Sequence, residues 1–488
     1  MERRTFIKTS ALTVTGASLA PVLLANNPPI LHPKSRFLSD NEYKDATKEE
    51  IILKAKNDIP KIRKGKVEIK LVNIKGEPIK NLRVQVKLTN HAFLFGDCNP
   101  SMANMFEKGV GASQKLKLYR EHFKGVMNSL NCTCYWTERY DNSMVRTEDF
   151  QGEILLESFE DSVNWANANG LVAKGHPLFW PVPKAIPQWM KKYPWETQQK
   201  FMEVRIRNMV SRFKGRVKIW DVVNEMLWEP APKNLNKRVW PYIETLDNMV
   251  EYIAPIMQWV KEEDPTAITL LNEYGTETDK ELVHDIKEVT YLTQRQRYAD
   301  LINKLGDKGL APDVMGLQSH TGYQNAKDQM QMYDWYHGKT GLPIHVTEFW
   351  AFGNELKKNQ PELTDEQISA KQNEYVAEYL TCAFAHPAID AFYFWGFMGL
   401  ATEWRNDLEP IVKTKPMYDT MKDFVKKTWT TDEKLTTNSD GIISFEGYYG
   451  AYELVYPTNK ETTIHSGFPF QHNKYQSGVM KFVINQKI

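Results

Sequence analysis

Two carboxylates carry the chemistry that this chain could do. Glu225 closes the apolar run Lys218-Ile-Trp-Asp-Val-Val-Asn-Glu225, and Glu348 follows Thr347 at the end of another such run. A buried strand of a parallel sheet reads as a near-continuous apolar run, so each glutamate is a polar break where a strand should end. Carboxylates brought together from two strands suit acid–base and nucleophilic work on a glycosidic bond. Polar and aromatic groups end other runs: His176 and Trp180 in Gly175-His-Pro-Leu-Phe-Trp180, Asn224 beside Glu225, Gln318 and His320 in Gln318-Ser-His320, and Trp395, with Trp404 beyond. Each alone has a plainer reading as a surfacing strand, a paired carboxylate, a core histidine or ordinary packing.

What must position them is a series of alternating elements. Candidate strands lie at 93–99, 125–136, 171–180, 217–225, 268–274, 314–320, 344–350 and 391–397. Amphipathic stretches separate them, one placing Leu156, Phe159, Val163 and Ala166 on one face and stopping at Gly170. Strand–helix alternation implies a parallel sheet, and eight repeats imply a closed (β/α)8 barrel, whose catalytic groups gather at the strand ends. An open doubly wound sheet is the alternative, but no G-x-G-x-x-G or Walker-type loop follows any strand. The reading is therefore an α/β chain: barrel at 91–428, a helix and two-strand β unit at 47–90, and a small β appendage at 429–488. In the N-terminal unit, Thr47-Lys-Glu-Glu50 makes a capping box opening a helix to about residue 64. Val67, Ile69 and Leu71 then alternate, as do Leu82, Val84, Val86 and Leu88. Residues 26–46, rich in Pro and Asn, read as a linker.

Composition bounds the partners. A net charge of +1 in 488 residues gives no reason to expect nucleic acid or an anionic membrane surface. The 14 Trp and 22 Tyr tilt towards carbohydrate, because aromatic faces stack on sugar rings. Met1-Glu-Arg-Arg-Thr-Phe-Ile-Lys8 and the apolar stretch to residue 25 read as a twin-arginine export signal. That stretch is too short and diluted for a membrane span of ~20 apolar residues. A periplasmic or secreted protein without stable membrane insertion is expected. Cys98, Cys132, Cys134 and Cys382 are too few and scattered for a disulfide framework, and they complete no zinc pattern.

The chain resembles the family-10 glycoside hydrolases, the endo-β-1,4-xylanase family, over roughly residues 90–425. The resemblance rests on Gly175-His-Pro-Leu-Phe-Trp180, Trp220-Asp-Val-Val-Asn-Glu225, Gly316-Leu-Gln-Ser-His320, Val346-Thr-Glu348 and Phe394-Trp-Gly-Phe397. It implies Glu225 as general acid/base and Glu348 as nucleophile of a retaining enzyme. Asn224 would hydrogen-bond the 2-hydroxyl of the cleaved sugar, and His176 would touch that sugar. Gln318 and His320 would orient the nucleophile, and Trp180, Trp395 and Trp404 would form the aromatic floor and walls.

The departures bear on substrate. The family's strand-two Glu-Asn…Lys signature reads Asn131-Cys-Thr-Cys-Tyr-Trp136, with Tyr135 about where the sugar-binding lysine would be. Pro181 replaces a second histidine after Trp180. The family's T-E-L-D string reads Thr347-Glu-Phe-Trp350, so the aspartate that would support His320 is absent. The expectation is a retaining hydrolase of a plant or algal β-linked polysaccharide, with xylan the first candidate and neither metal nor organic cofactor required. A hydrolase of another barrel family acting on a different glycan, and a non-catalytic carbohydrate-binding barrel, are the alternatives.

Overall fold

The computed structural model describes residues 36–98, 110–137, 146–237, 243–278, 290–397, 401–405, 411–457, 465–474 and 478–484. The stretch read as an export signal therefore lies outside the described residues. Two compact units divide the chain, one of residues 59–92 with the segment from 426 onward, the other running through 93–425 and including 36–58.

The first unit begins with β1 (Lys64–Val72) and β2 (Arg83–His91). The larger unit supplies β3 (Leu94–Cys98), β4 (Ser129–Thr133), β5 (Val172–His176), β6 (Ile219–Asn224), β7 (Ile268–Glu273), β8 (Val314–Leu317), β9 (Ile344–Phe349) and β10 (Ile389–Trp395). These eight close into a barrel in sequence order, β10 returning to pair with β3, and every pairing is parallel. The (β/α)8 barrel read from the sequence is the fold. β3 to β6 and β9 are buried along their whole length, on both faces of the sheet, their polar residues included.

Boundaries moved where helix and strand abut. The expected second strand began at Gly125, but that residue closes the helix Val110–Val126 and β4 starts only at Ser129. The helix Glu157–Ala168 buries Phe159, Val163 and Ala166 as its periodicity requires. Residues 36–46 are not a plain linker. Ser39 caps a short helix, Asp40–Asp45, and the fully buried Tyr43 gives its hydroxyl to Asp334 at 2.7 Å. The same carboxylate accepts the backbone N–H groups of Phe37 and Leu38.

The smaller unit corrects a second expectation. β1 and β2 do not pair with each other. β1 lies between β14 (Ile442–Tyr448) and β17 (Met480–Val483), whereas β2 lies between β13 (Asp432–Thr436) and β15 (Gly450–Pro457), with β16 (His465–His472) outside. The strands expected as an N-terminal unit and a separate C-terminal appendage thus share two sheets. Tyr452 and Phe470 stack across β15 and β16 with centroids 5.0 Å apart. In the larger unit, β11 (Thr402–Arg405) and β12 (Ile411–Thr414) form a hairpin beyond β10. Among the described residues no helix is long and apolar enough to cross a membrane.

Candidate active site

The site begins with an irregularity in β6. Simple alternation would send Asp221 and Asn224, three residues apart, to opposite faces. The pairing with β7 slips between Asp221 and Val223, a β-bulge that resets which face follows. Asp221 accordingly reaches His176 and Lys174, and Asn224 reaches partners on β7 and after β8. The next residue, Glu225, has φ of 55°, a left-handed conformation that costs a non-glycine residue of order 1–3 kcal/mol. β7 holds this turn from both ends. The Glu225 N–H donates to the Asn272 carbonyl at 2.8 Å, and the Leu227 N–H donates to Glu273 Oε2 at 2.8 Å.

The two carboxylates are joined by a chain of amides. Gln318 Nε2 donates to Glu225 Oε1 at 3.0 Å and to Asn224 Oδ1 at 3.3 Å. Asn272 Nδ2 donates to the same Asn224 oxygen at 2.8 Å and to Glu348 Oε1 at 2.7 Å. Thr347 Oγ1 in turn donates to Asn272 Oδ1, which fixes the orientation of that amide. Glu225 Oε2 accepts from the Trp180 indole at 2.9 Å. Gln318 thus serves Glu225 and Asn224, a different partner from the nucleophile that the resemblance gave it. Glu225 is half-buried, and its desolvation pushes the carboxyl above its ordinary range. The neighbouring Glu348 charge pushes the same way, against the bonds from Gln318 and Trp180 and the attraction of His176. Glu348 is buried.

Below the carboxylates, a buried ion cluster sets the histidine. Asp221 Oδ2 accepts from Lys174 Nζ at 2.7 Å and lies 2.6 Å from His176 Nδ1, leaving His176 Nε2 3.8 Å from Glu348 Oε1. Burial alone would raise the Asp221 carboxyl, but the Lys174 and His176 charges and bonds hold it below its usual range. Gly175 makes room beside this cluster: a Cβ there would sit 2.2 Å from the Trp220 ring, its neighbour in register on β6. Above it, aromatic rings surround His176. Tyr135 lies edge-on at 5.7 Å, Trp395 at 5.6 Å, and Tyr135 also packs on Trp180 at 5.4 Å. Burial first, then the charges around it, keep the Tyr135 phenol well above its ordinary range and therefore neutral. Lys184 Nζ stands 4.7 Å over the Trp180 ring. Trp404 has its backbone in β11, and its side chain lies outside the described residues.

His320 Nε2 is 3.3 Å from Glu348 Oε2. Burial pulls its proton affinity down, but the Glu348 bond and surrounding carboxylates outweigh that and raise it. Trp350, where the supporting aspartate is missing, packs instead against Gly396, whose φ of 83° and lack of a Cβ admit the ring. Sequence reading missed Asn272, Asp221, Glu273 and Glu277. Asn272-Glu273 repeats, at the end of β7, the same Asn-Glu break that drew attention to Asn224-Glu225. That signal was available.

The fold and site together are a closed parallel barrel with a carboxylate at the end of β6, another on β9 and aromatic rings around them. The profile described as Glycosyl hydrolase family 10 matches residues 137–423, more than half of the chain. The chain belongs to glycosyl hydrolase family 10. It is 25% identical over 404 residues to the anti-sigma-I factor RsgI6 of Acetivibrio thermocellus, covering 82% of this chain and 46% of that protein. It is 28% identical over 256 residues to endo-1,4-beta-xylanase B of Thermotoga neapolitana, covering 50% of this chain and 63% of that one. The chain thus spans about half to under two thirds of the length of these relatives. Xylanase 10B from Thermotoga petrophila RKU-1, solved in complex with xylobiose, shares the fold with a TM-score of 0.50 at 23% identity, over 69% of this chain and 95% of that one.

Proposed function

We propose that this chain is a retaining endo-glycosidase cleaving internal β-1,4 linkages of xylan from plant or algal sources, with Glu348 as nucleophile and Glu225 as general acid and base. The observation that carries the reading is the amide chain: Gln318, Asn224 and Asn272 link two carboxylates whose surroundings differ. Glu225, its proton affinity raised, suits protonation of the departing sugar oxygen. Glu348, given the Asn272 donor, suits attack on the anomeric carbon. As Glu348 becomes glycosylated its charge disappears, the repulsion that raised Glu225 falls away, and Glu225 can take a proton from the incoming water. Both amide bonds at Asn224 use Oδ1, which leaves Nδ2 to donate to the sugar 2-hydroxyl. His176, Trp180, Trp395 and Tyr135 supply the wall for the cleaved sugar, with Trp404 a further candidate. The name of the Thermotoga neapolitana relative supports xylan as the first substrate.

The test is a panel of polysaccharides assayed for new reducing ends with the parent chain, Glu225→Ala and Glu348→Ala, followed by proton NMR of the first product anomer. Xylan hydrolysis abolished or crippled by either change, with retained configuration, is the expected result. Hydrolysis indifferent to both changes, or an inverted first product, overturns the reading.

A further inference from the structure

One buried carboxylate beside the site has no part in that scheme. Glu277 is 1% exposed, and its Oε1 accepts from the Ser319 N–H at 2.6 Å and the Ser319 hydroxyl at 3.1 Å. Ser319 has φ of 59°, one of only three positive values on non-glycine residues among those described, the others being Asn81 and Glu225. A backbone in that region persists only where its surroundings over-determine it, and both Ser319 donors end on Glu277. The residue that follows is His320. Its Nε2 meets Glu348, while its Nδ1 is buried with no hydrogen-bond partner among the described residues. Glu277 and His320 line one cavity of about 180 Å³, together with Thr321, Phe352 and Glu355.

We propose that Glu277 is a positioning residue for the nucleophile: by clamping the left-handed Ser319 turn, it aims the His320 ring so that Nε2 is held on Glu348. The inference rests on the reading of Glu348 as nucleophile. Rotation of the Ser319 peptide would swing the His320 ring off the carboxylate, because among the described residues no hydrogen bond to Nδ1 holds it in place.

The charges around the pair favour the same arrangement. His320 faces Glu348, Glu277 and Glu225, and all three raise its proton affinity against burial. Glu277 is pushed up to about 7 by burial, against the Ser319 bonds and His320. It also acts on Tyr298 from the helix Tyr291–Gly306, Tyr333 and Tyr336 from Ala326–Thr340, Tyr379 from Asp365–Ala385, and Glu273 on β7. Burial raises every one of those groups.

The experiment uses the full chain with Glu277→Gln, which removes the charge but keeps an acceptor, and Glu277→Ala, which removes both. Imidazole nitrogen NMR should place the His320 titration of Glu277→Gln at lower pH than in the parent. On xylan, Glu277→Ala should lower kcat by roughly ten- to a hundredfold, the scale on which a displaced group costs rate. KM should be little changed, and Glu277→Gln should fall between. Because Glu277 acts through His320, the double variant Glu277→Ala/His320→Ala should be no slower than His320→Ala alone. An unmoved His320 titration, or losses that multiply in the double variant, overturns the proposal. A parent chain inactive on the polysaccharide panel sinks the functional reading instead. The NMR titration of Glu277→Gln, which needs neither turnover nor the alanine variant, still decides the coupling.

Discussion

Replacing Glu225 by Ala should slow the enzyme by an amount that depends on the leaving group. A sugar alkoxide is a poor leaving group and needs a proton as the bond breaks. A dinitrophenolate departs without one. General acid catalysis contributes about 10²–10⁴-fold, which is about 3–5.5 kcal/mol of barrel-supplied stabilisation at roughly 1.4 kcal/mol per tenfold. The proposed assignment puts the whole of that on one half-buried side chain, both of whose oxygens are oriented, one by Gln318 and the other by Trp180. Glu225→Ala should therefore lose about 10²–10⁴-fold in kcat/KM on xylo-oligosaccharides. It should keep near-parental formation of the glycosyl-enzyme from a dinitrophenyl glycoside, seen as a burst of phenolate followed by slow turnover. Removing the carboxylate also strands the Gln318 and Trp180 donors, at about 1–3 kcal/mol for each that water cannot reach, so thermal unfolding must be followed in parallel. Equal losses on the two classes of leaving group, in a variant that remains folded, would refute the assignment: Glu225 would then be holding substrate and not delivering a proton.

Glu348→Gln should abolish turnover and also lower the pH at which Glu225 titrates, because the negative neighbour that raises it is gone. Carboxyl carbon NMR reads this directly, and an unchanged or higher midpoint contradicts it. Glu244 is held down to about 2 by hydrogen bonds from Asn234, Asn248, Thr245 and Ala231 that outweigh its burial. Its folded value lies below the ordinary 4.5, so its stabilisation is full above that value and fades as pH falls towards about 2. Glu244→Gln should flatten this part of the acid-unfolding curve, and a curve of unchanged slope between those pH values argues against the account. Gly175→Ala should destabilise by about 1–3 kcal/mol through overpacking against Trp220. Denaturant titration measures that, and a neutral change would mean that the ring moves freely.

How far the sequence could be read follows from what each feature depends on. The eight barrel strands were legible because burial on both faces writes itself as an apolar run, and their ends were legible because polar residues interrupt the run. Register was not. The slip between Asp221 and Val223 depends on how β6 sits against β7, and no pattern within β6 announces it. The pairing of β1 with β14, and of β2 with β15, joins segments more than 350 residues apart in the chain. Local alternation identified these strands but could not choose their partners. Glu277 left no signal either, because it stands beyond the apolar run, and its importance arises only once β7 and β8 are adjacent.

The two strained residues connect these points. Glu225 and Ser319 both follow strand ends, both are left-handed without being glycine, and both are held by atoms of residues from β7 and the segment after it. Glycine at either position would relax the backbone but would also let the turn sample other conformations. At Glu225 glycine is excluded, since the side chain is the proposed acid. At Ser319 the hydroxyl makes a second bond to Glu277 that glycine could not. β7 and the segment after it contribute neither proposed catalytic carboxylate, yet on β7 Asn272 orients Asn224 and Glu348 and Glu273 takes the Leu227 N–H, and beyond it Glu277 clamps Ser319. One strand and the segment that follows it can do this because β6 and β8 flank β7 directly in the barrel. The proposed acid follows one neighbour and the histidine that meets the proposed nucleophile follows the other. Substitution of Asn272 should therefore disturb both proposed catalytic carboxylates together, whereas those at Trp180, Glu277 or His320 should disturb one at a time.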